Sequence, residues 1–230
     1  LVSCFVCAGA FAQDADKAIE SVKEKLALDD RTSVFDVKAV PTNGPTVLTG
    51  ETSVPRAKEE LLGMLKEQGI ETIDAITLLP DKKALDGKIY GVIRIPVGTL
   101  RYGPSYASEQ ATQLLMGTPV RILKKEGWYL VQTPEDYVSW VSSSSVEPMT
   151  RQQFNEYLSH KKLIFLSDEG WIYEKPDASS ARIASVVVGA LLLDKGSKGK
   201  YAHVELPDGR KGYVLKKDVT DFDQWRKETR

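Results

Sequence analysis

Residues 127–141 read GWYLVQTPEDYVSWV, and residues 200–214 read KYAHVELPDGRKGYV. Laid over each other at an offset of 73, Trp128 meets Tyr201, Val131 meets Val204 and Pro134 meets Pro207. Trp140 and Val141 meet Tyr213 and Val214 at the same offset. Upstream the match continues at an offset of 72, pairing Leu100 with Ile172, Pro104 with Pro176, Leu114 with Val186 and Gly117 with Gly189. The second copy therefore holds one extra residue between its glycine and its aromatic. A constant offset over such a span marks a duplicated module. Residues 91–141 and 163–215 contain only short strand-like runs broken by Gly, Pro, Asp and Lys, which predicts two small all-β barrels. Cores this small gain from docking on one another.

The chain before the repeat has a different rhythm. Ala15, Ile19, Val22 and Leu26 share one face of a helix over residues 14–27. TSVFDVKAV then alternates, with Phe35, Val37 and Ala39 on one side of a strand, and PTNGP is dense in turn residues. TVLTGET follows as a second strand. Pro55 suits the first turn of a helix running to Lys66, with Ala57, Leu61 and Leu65 inward and Gly69 as its stop. ETIDAITLLP is a third strand, giving the order α-β-β-α-β. The expected fold class is thus mixed, a small α+β domain followed by two all-β barrels. The expected domains are 13–80, then a first barrel at 91–148, a linker with a short helix at 149–161, a second barrel at 162–222 and a tail at 223–230. In the stretch SSSSVEPMTRQQFNEYLSHKK that joins the copies, the serines look like connecting chain, and Thr150 suits the cap of a helix carrying Phe154 and Leu158. Trp225 in the charged tail either folds back on the second barrel or meets a further domain.

Composition narrows the function. The 230 residues carry 31 Lys+Arg against 32 Asp+Glu, a net charge of −1, which leaves no electrostatic footprint for nucleic acid. LVSCFVCAGAFA, residues 1–12, is uncharged and ends in Ala-Phe-Ala before Gln13, like the apolar region and cleavage site of a secretory leader. With no initiator Met or basic stretch ahead of it, the leader is expected to be a remnant. A lipoprotein anchor at Cys4 is the weaker reading. Export to the periplasm or envelope is therefore expected. Both cysteines, Cys4 and Cys7, lie in this leader, so a mature chain would have neither disulfide nor thiol nucleophile. No run approaches the roughly 18–20 apolar residues of a membrane span.

Catalytic motifs are missing from the sequence. His160 sits in the polar linker and His203 on a strand, and neither has a nucleophile at a recognisable spacing. There is no clustered His, Cys and carboxylate set for a metal, no nucleophile elbow, no phosphate-binding loop and no dinucleotide fingerprint. No cofactor and no metal site are expected. KGSKGK at 195–200 reads as a solvated hairpin tip. The aromatics are the better lead. Tyr102, Tyr106 and Tyr137 fall in loops of the first barrel, where a ring offers apolar area and a hydroxyl together. Trp171 and Tyr173 are the second-barrel candidates, placed in the matching loop. Trp128 and Trp140 read as core or barrel-lip residues.

IPVGTLRYGPSYASEQATQLLMGTPVRILKKEGWYLVQTPEDYVSWV, residues 95–141, resembles a bacterial SH3 (SH3b) domain. More narrowly, it is similar to the first SH3b domain of NlpC/P60 cysteine peptidases from Bacteroides-like bacteria. LPDGRKGYV with KKDVTDFDQW resembles their second SH3b domain. Residues 31–80 are similar to a BON domain, a small exported α/β module associated with envelope or phospholipid surfaces. The resemblance implies a papain-like peptidase domain after the tail, cleaving γ-D-glutamyl–diamino-acid bonds of murein peptides. It also implies that the first SH3b domain walls the active site and recognises the amino end of the stem peptide. The motif tyrosine of that recognition falls on Tyr137. The family's glutamate after Leu-Gly is Thr118 here, and its glycine before Trp is Ser139. Glu109 and Asp136 are the remaining acidic candidates for an amine. The expected function is thus non-catalytic recognition and positioning of peptidoglycan stem peptides within an exported murein endopeptidase. The alternative is a freestanding envelope adaptor whose SH3b domains bind peptidoglycan or a protein.

Overall fold

The computed structural model describes residues 4–229, with side chains from residue 13. The first three residues of the expected leader lie outside the described residues, and the backbone is helical from Cys4. The chain divides into two compact units, one of residues 1–83 with 135–138, the other of residues 84–134 with 139–230.

The first unit contains α1 (Cys4–Lys25), β1 (Phe35–Val40), β2 (Thr46–Thr52), α2 (Pro55–Glu67) and β3 (Thr72–Leu78). Its sheet has the order β1-β2-β3. β1 and β2 form an antiparallel pair, whereas β2 and β3 run parallel, with α2 as the crossover that a parallel pair requires. Ala15, Ala18 and Val22 of α1 and Ala57, Leu61 and Leu65 of α2 bury their stripe against Phe35, Val37, Leu48 and Ile76. Gly50 is obligatory: its φ is +110°, and a Cβ there would collide with the Asp36 carbonyl across the pair. The outer strand β3 is guarded by Lys58 of α2, whose ammonium lies 2.7 Å from Asp74 Oδ2 and donates to Ile76 O at 2.7 Å. Such a charged cover blunts an edge that would otherwise invite pairing with another chain.

The second unit contains two seven-stranded sheets. The first comprises β4 (Tyr90–Ile93), β5 (Val97–Arg101), β6 (Gln110–Leu115), β7 (Pro119–Glu126), β8 (Trp128–Gln132), β9 (Val138–Ser142) and β10 (Val146–Met149). After α3 (Arg151–Ser159), the second comprises β11 (Lys162–Phe165), β12 (Glu169–Tyr173), β13 (Arg182–Val187), β14 (Leu191–Lys198), β15 (Tyr201–Glu205), β16 (Lys211–Leu215) and β17 (Val219–Asp221), followed by α4 (Phe222–Glu228). The order β10-β4-β7-β8-β9-β5-β6 is repeated strand for strand as β17-β11-β14-β15-β16-β12-β13. Even the irregularity is copied: the ladder slips after Leu100 in the first sheet and after Ile172 in the second, positions 72 apart. The extra residue of the second copy falls in the hairpin between β14 and β15, where Gly199-Lys200 stands against the single Gly127 between β7 and β8.

The connection between the sheets departs from the sequence reading. The serine run is not connecting chain: Ser143–Ser145 forms a 3-10 turn, and β10 then pairs with β4. Thr150 does cap α3, with a reciprocal bond from Gln153 completing a capping box. The residue that α3 buries, however, is Tyr157, while Leu158 stays about half exposed. Tyr157 shares a small core with Val92 and Met149 of the first sheet and Leu193 of the second. Its hydroxyl donates to Gly117 O at 2.9 Å. At the helix C-terminus the Lys162 ammonium donates to the carbonyls of Tyr157, Leu158 and His160 at 2.8, 3.0 and 2.9 Å. Burial pushes this lysine's pKa down, although the three carbonyls occupy all its donors.

The two barrels lock at equivalent turns. Met116, in the turn between β6 and β7, is 1% exposed and packs in the second barrel's core with Phe165, Val186 and Leu192. Leu191 N donates to Met116 O at 2.9 Å. A Cβ on Gly117 would meet Leu191 O at 2.5 Å, and one on Gly189 would meet Leu115 Cδ1 at 2.7 Å. Docking between the copies is therefore close backbone packing. α4 packs on β11 and β17 as α3 packs on β4 and β10. Trp225 is half-buried in α4 and stacks on Phe222, with centroids 6.2 Å apart.

Candidate functional site

The loop from β5 to β6 carries three of the residues singled out from the sequence. Tyr102 N donates to Glu109 O at 3.1 Å, which closes the loop at its base. Arg101 braces it from inside by donating to Ser108 O at 2.6 Å. A Cβ on Gly103 would stand 2.7 Å from Ser108 Oγ, so glycine lets the loop fold tightly on itself. With its backbone so occupied, the loop turns its side chains outward. Tyr102 is 63% exposed and Tyr106 73%, and Glu109 is also exposed.

Tyr106 is exposed but held. Its ring meets Trp128 edge to face, with centroids 4.8 Å apart, and its hydroxyl lies 3.3 Å from Ser142 Oγ as donor. Ser142 Oγ in turn lies 2.9 Å from Ser144 Oγ. Trp128 opens β8 and is half-buried, so one ring supports the other at the barrel lip. Beside it, Trp140 on β9 carries the Lys124 ammonium 5.2 Å from its ring centroid. Arg94 is committed nearby, donating to Ser144 O at 2.9 Å and pairing with Glu147 at 3.3 Å.

Asp136 and Tyr137 lie in the segment 135–138, which groups with the first unit. Tyr137 keeps 46% of its surface exposed. Asp136 sits in the left-handed region at φ 67°, and its repeat partner Gly209 does the same at φ 82°. Both copies therefore turn at this point through the same backbone geometry, with an aspartate tolerated where the second copy has glycine. The position of Tyr137 is filled in the second copy by Arg210, which pairs with Asp208 at 2.8 Å and donates to Ile183 O at 2.7 Å. Partial burial works against the Asp208 charge, yet Arg210 holds its carboxyl below the usual range.

In the second barrel the sequence reading needs correction. Trp171 and Tyr173 are not in a loop: both stand on β12, opposite Ser185 and Arg182 of β13. Trp171 is 41% exposed, and the Arg182 guanidinium lies 4.5 Å from its ring centroid, over a face a ligand would need. Tyr173 packs edge to face on Tyr201 at 6.5 Å, which makes it part of the barrel wall. His203 stacks on Tyr213 at 4.9 Å, and His160 caps α3 with its Nδ1 2.6 Å from Glu156 O. Among the described residues no group of three His, Cys, Asp or Glu is placed to hold a metal, and no helix is long and apolar enough to cross a membrane.

The structure thus brings Tyr102, Tyr106 and Glu109 onto one loop and adds Trp128, Ser142 and Ser144, which sequence reasoning left as lip packing or linker. The signal was available in the repeat itself. Tyr106 aligns with Ala178, Ser142 with Leu215 and Ser144 with Lys217, so this cluster is private to the first copy.

Comparison with known proteins bears on the first of the two repeats. A family model described as the bacterial dipeptidyl-peptidase Sh3 domain matches residues 100–146. No curated protein matches the chain. Among solved structures, an NlpC/P60 family protein from Bacillus cereus ATCC 10987 is 18% identical over 57% of this chain and 55% of its own, with a TM-score of 0.48. An NlpC/P60 endopeptidase from Photobacterium damselae subsp. piscicida is 14% identical over 63% of this chain and 35% of its own, with a TM-score of 0.43. The chain thus spans 55% or less of the length of these two neighbours. Residues 100–146 match a bacterial SH3 domain, and the solved neighbours of the chain are NlpC/P60 proteins.

Proposed function

We propose that this chain is the non-catalytic, wall-recognising region of an exported NlpC/P60-type murein peptidase, with the peptidase domain elsewhere in the full protein. The observation that carries this reading is the match of residues 100–146 to a bacterial dipeptidyl-peptidase SH3 domain, a segment that includes Tyr102, Tyr106 and Tyr137. In this reading the BON-like first unit is an envelope-facing module, and the first barrel presents the peptide stem to the catalytic domain. Tyr137 is the stem-peptide residue, and Asp136, its neighbour in the chain, supplies the carboxylate for the free amine. An ammonium held between a carboxylate and a tyrosine face gains charge-assisted and cation–π contacts of about 1 kcal/mol each.

Titration of the labelled chain with L-Ala-γ-D-Glu-diaminopimelate tests the assignment. Backbone resonances around 135–138 should move, and Tyr137→Ala should weaken binding several-fold. Equal binding by parent and variant refutes Tyr137 as the contact. No shift anywhere in the barrels refutes stem-peptide recognition.

A further inference from the structure

Tyr106, Trp128, Ser142 and Ser144 form a cluster that stem-peptide recognition does not use. The two rings meet at an interplanar angle of 65°, so they make a corner rather than a flat wall. Along one edge of this corner runs a chain of hydroxyls, Tyr106 to Ser142 at 3.3 Å and Ser142 to Ser144 at 2.9 Å. Ser144 ends that chain at an exposed position. Two cations of this barrel are committed to other groups: Arg94 to Ser144 O and Glu147, and Arg101 to Ser108 O. The corner therefore has an apolar face and neutral groups that both donate and accept.

A second observation argues that the cluster is there for a ligand. The second barrel folds with the same strand order but carries Ala178, Leu215 and Lys217 at the three matching positions. Only the aromatic at Trp128 is retained, as Tyr201, and there it is 2% exposed. The barrel thus needs an aromatic at this strand start for packing. It does not need the exposed tyrosine or the two serines.

We propose that this corner of the first barrel is a subsite for one neutral pyranose ring of the wall glycan, an inference that rests on the wall-recognition reading and adds a second ligand class to it. A pyranose has a C–H face that stacks on an aromatic ring and equatorial hydroxyls that donate and accept around its rim. Tyr106 offers the stacking face, Trp128 fixes its tilt, and Ser142 and Ser144 meet the rim hydroxyls. An extended peptide would instead ask for aligned backbone donors and acceptors, and the bracing of the 102–109 loop against itself occupies Tyr102 N and the Ser108 and Glu109 carbonyls.

The test uses the full chain labelled with 15N, the Trp128 indole N–H assigned by comparison with Trp128→Phe, and chitotetraose as probe. Chitotetraose should shift the Trp128 indole resonance, Tyr106→Ala should raise the Kd at least tenfold, and Ser144→Ala several-fold. Tyr106 is 73% exposed, so its truncation leaves the barrel folded, which the retained dispersion of the spectrum checks. An indole that stays still with sugar, or a Tyr106→Ala variant that binds like the parent, overturns the proposal. So does a stem peptide that moves the same indole as strongly as the sugar. If the stem peptide moves residues 135–138 while the sugar moves nothing, the subsite fails and wall recognition stands. If neither ligand moves anything, both fail.

Discussion

Met116→Ala removes a side chain that the first barrel sends into the core of the second. The change deletes three heavy atoms from a site that is 1% exposed. At about 0.8 kcal/mol per methylene-sized group the lost transfer term is roughly 2.4 kcal/mol, and an unrelaxed cavity brings the total to about 3 kcal/mol. For a unit of this size that corresponds to a fall in Tm of roughly 6–12 °C. The repeat supplies its own control. Val188 occupies the matching position 72 residues on and is 49% exposed, so Val188→Ala should change stability by no more than about 0.5 kcal/mol. Urea unfolding of the full chain measures both, and hydrogen exchange of residues 191–205 locates the effect. Protection there should drop in Met116→Ala although the substitution lies in the other barrel. If the exchange of the second barrel is unchanged, or if the two variants cost the same, Met116 is not a structural part of the second core.

Two further outcomes follow from named contacts. Tyr157→Phe should cost about 1–2 kcal/mol in the same urea assay, because it leaves the Gly117 carbonyl without its donor. Burial pushes the Tyr157 hydroxyl above its ordinary pKa, so that cost should be the same at pH 6 and pH 9. At Asp74, partial burial opposes the charge, but Lys58 and the Ile76 N–H together hold the carboxyl below its ordinary value. A depressed folded pKa gives stability that is whole above the unfolded pKa and lost as pH falls through the folded one. The Tm gap between parent and Asp74→Asn should therefore be largest near pH 7 and close below about pH 4. A gap that persists at pH 2.5 would mean that the ion pair with Lys58 is not what Asp74 contributes.

Much of the duplicated β architecture, two seven-stranded sheets of one strand order, was readable because duplication prints the same constraint twice. Gly117 and Gly189, or Pro134 and Pro207, stand at fixed offsets because each turn imposes its geometry on whatever sequence occupies it. The buried face of α2 was equally readable, since Ala57, Leu61 and Leu65 repeat at helical spacing. What escaped were features decided by tertiary partners. Serines 143–145 have the composition of a linker, yet the 3-10 turn they form is followed directly by β10, which finds its partner β4 more than fifty residues earlier. Leu158 looked like the inward residue of α3, but the helix faces two barrels rather than one, and that geometry selects Tyr157. Trp171 and Tyr173 were displaced from loop to strand because the ladder to β13 runs longer than their local turn residues suggest. At the candidate site, Tyr106 was visible as an exposed aromatic, but its tie to Trp128 and Ser142 spans residues far apart in sequence.

The meeting of like turns has a historical reading. A patch that contacts its own duplicate has the form of a two-fold homodimer contact, here carried on one polypeptide. Two separate subunits must keep such a patch self-complementary, because every substitution enters both sides at once. Tethered copies are released from that demand and can specialise. The backbone already shows it: Leu191 donates its N–H across to Met116, whereas the matching residue, Pro119, has no N–H with which to return the bond. Each half is thus free to acquire surface chemistry of its own while the shared seam keeps the pair in step.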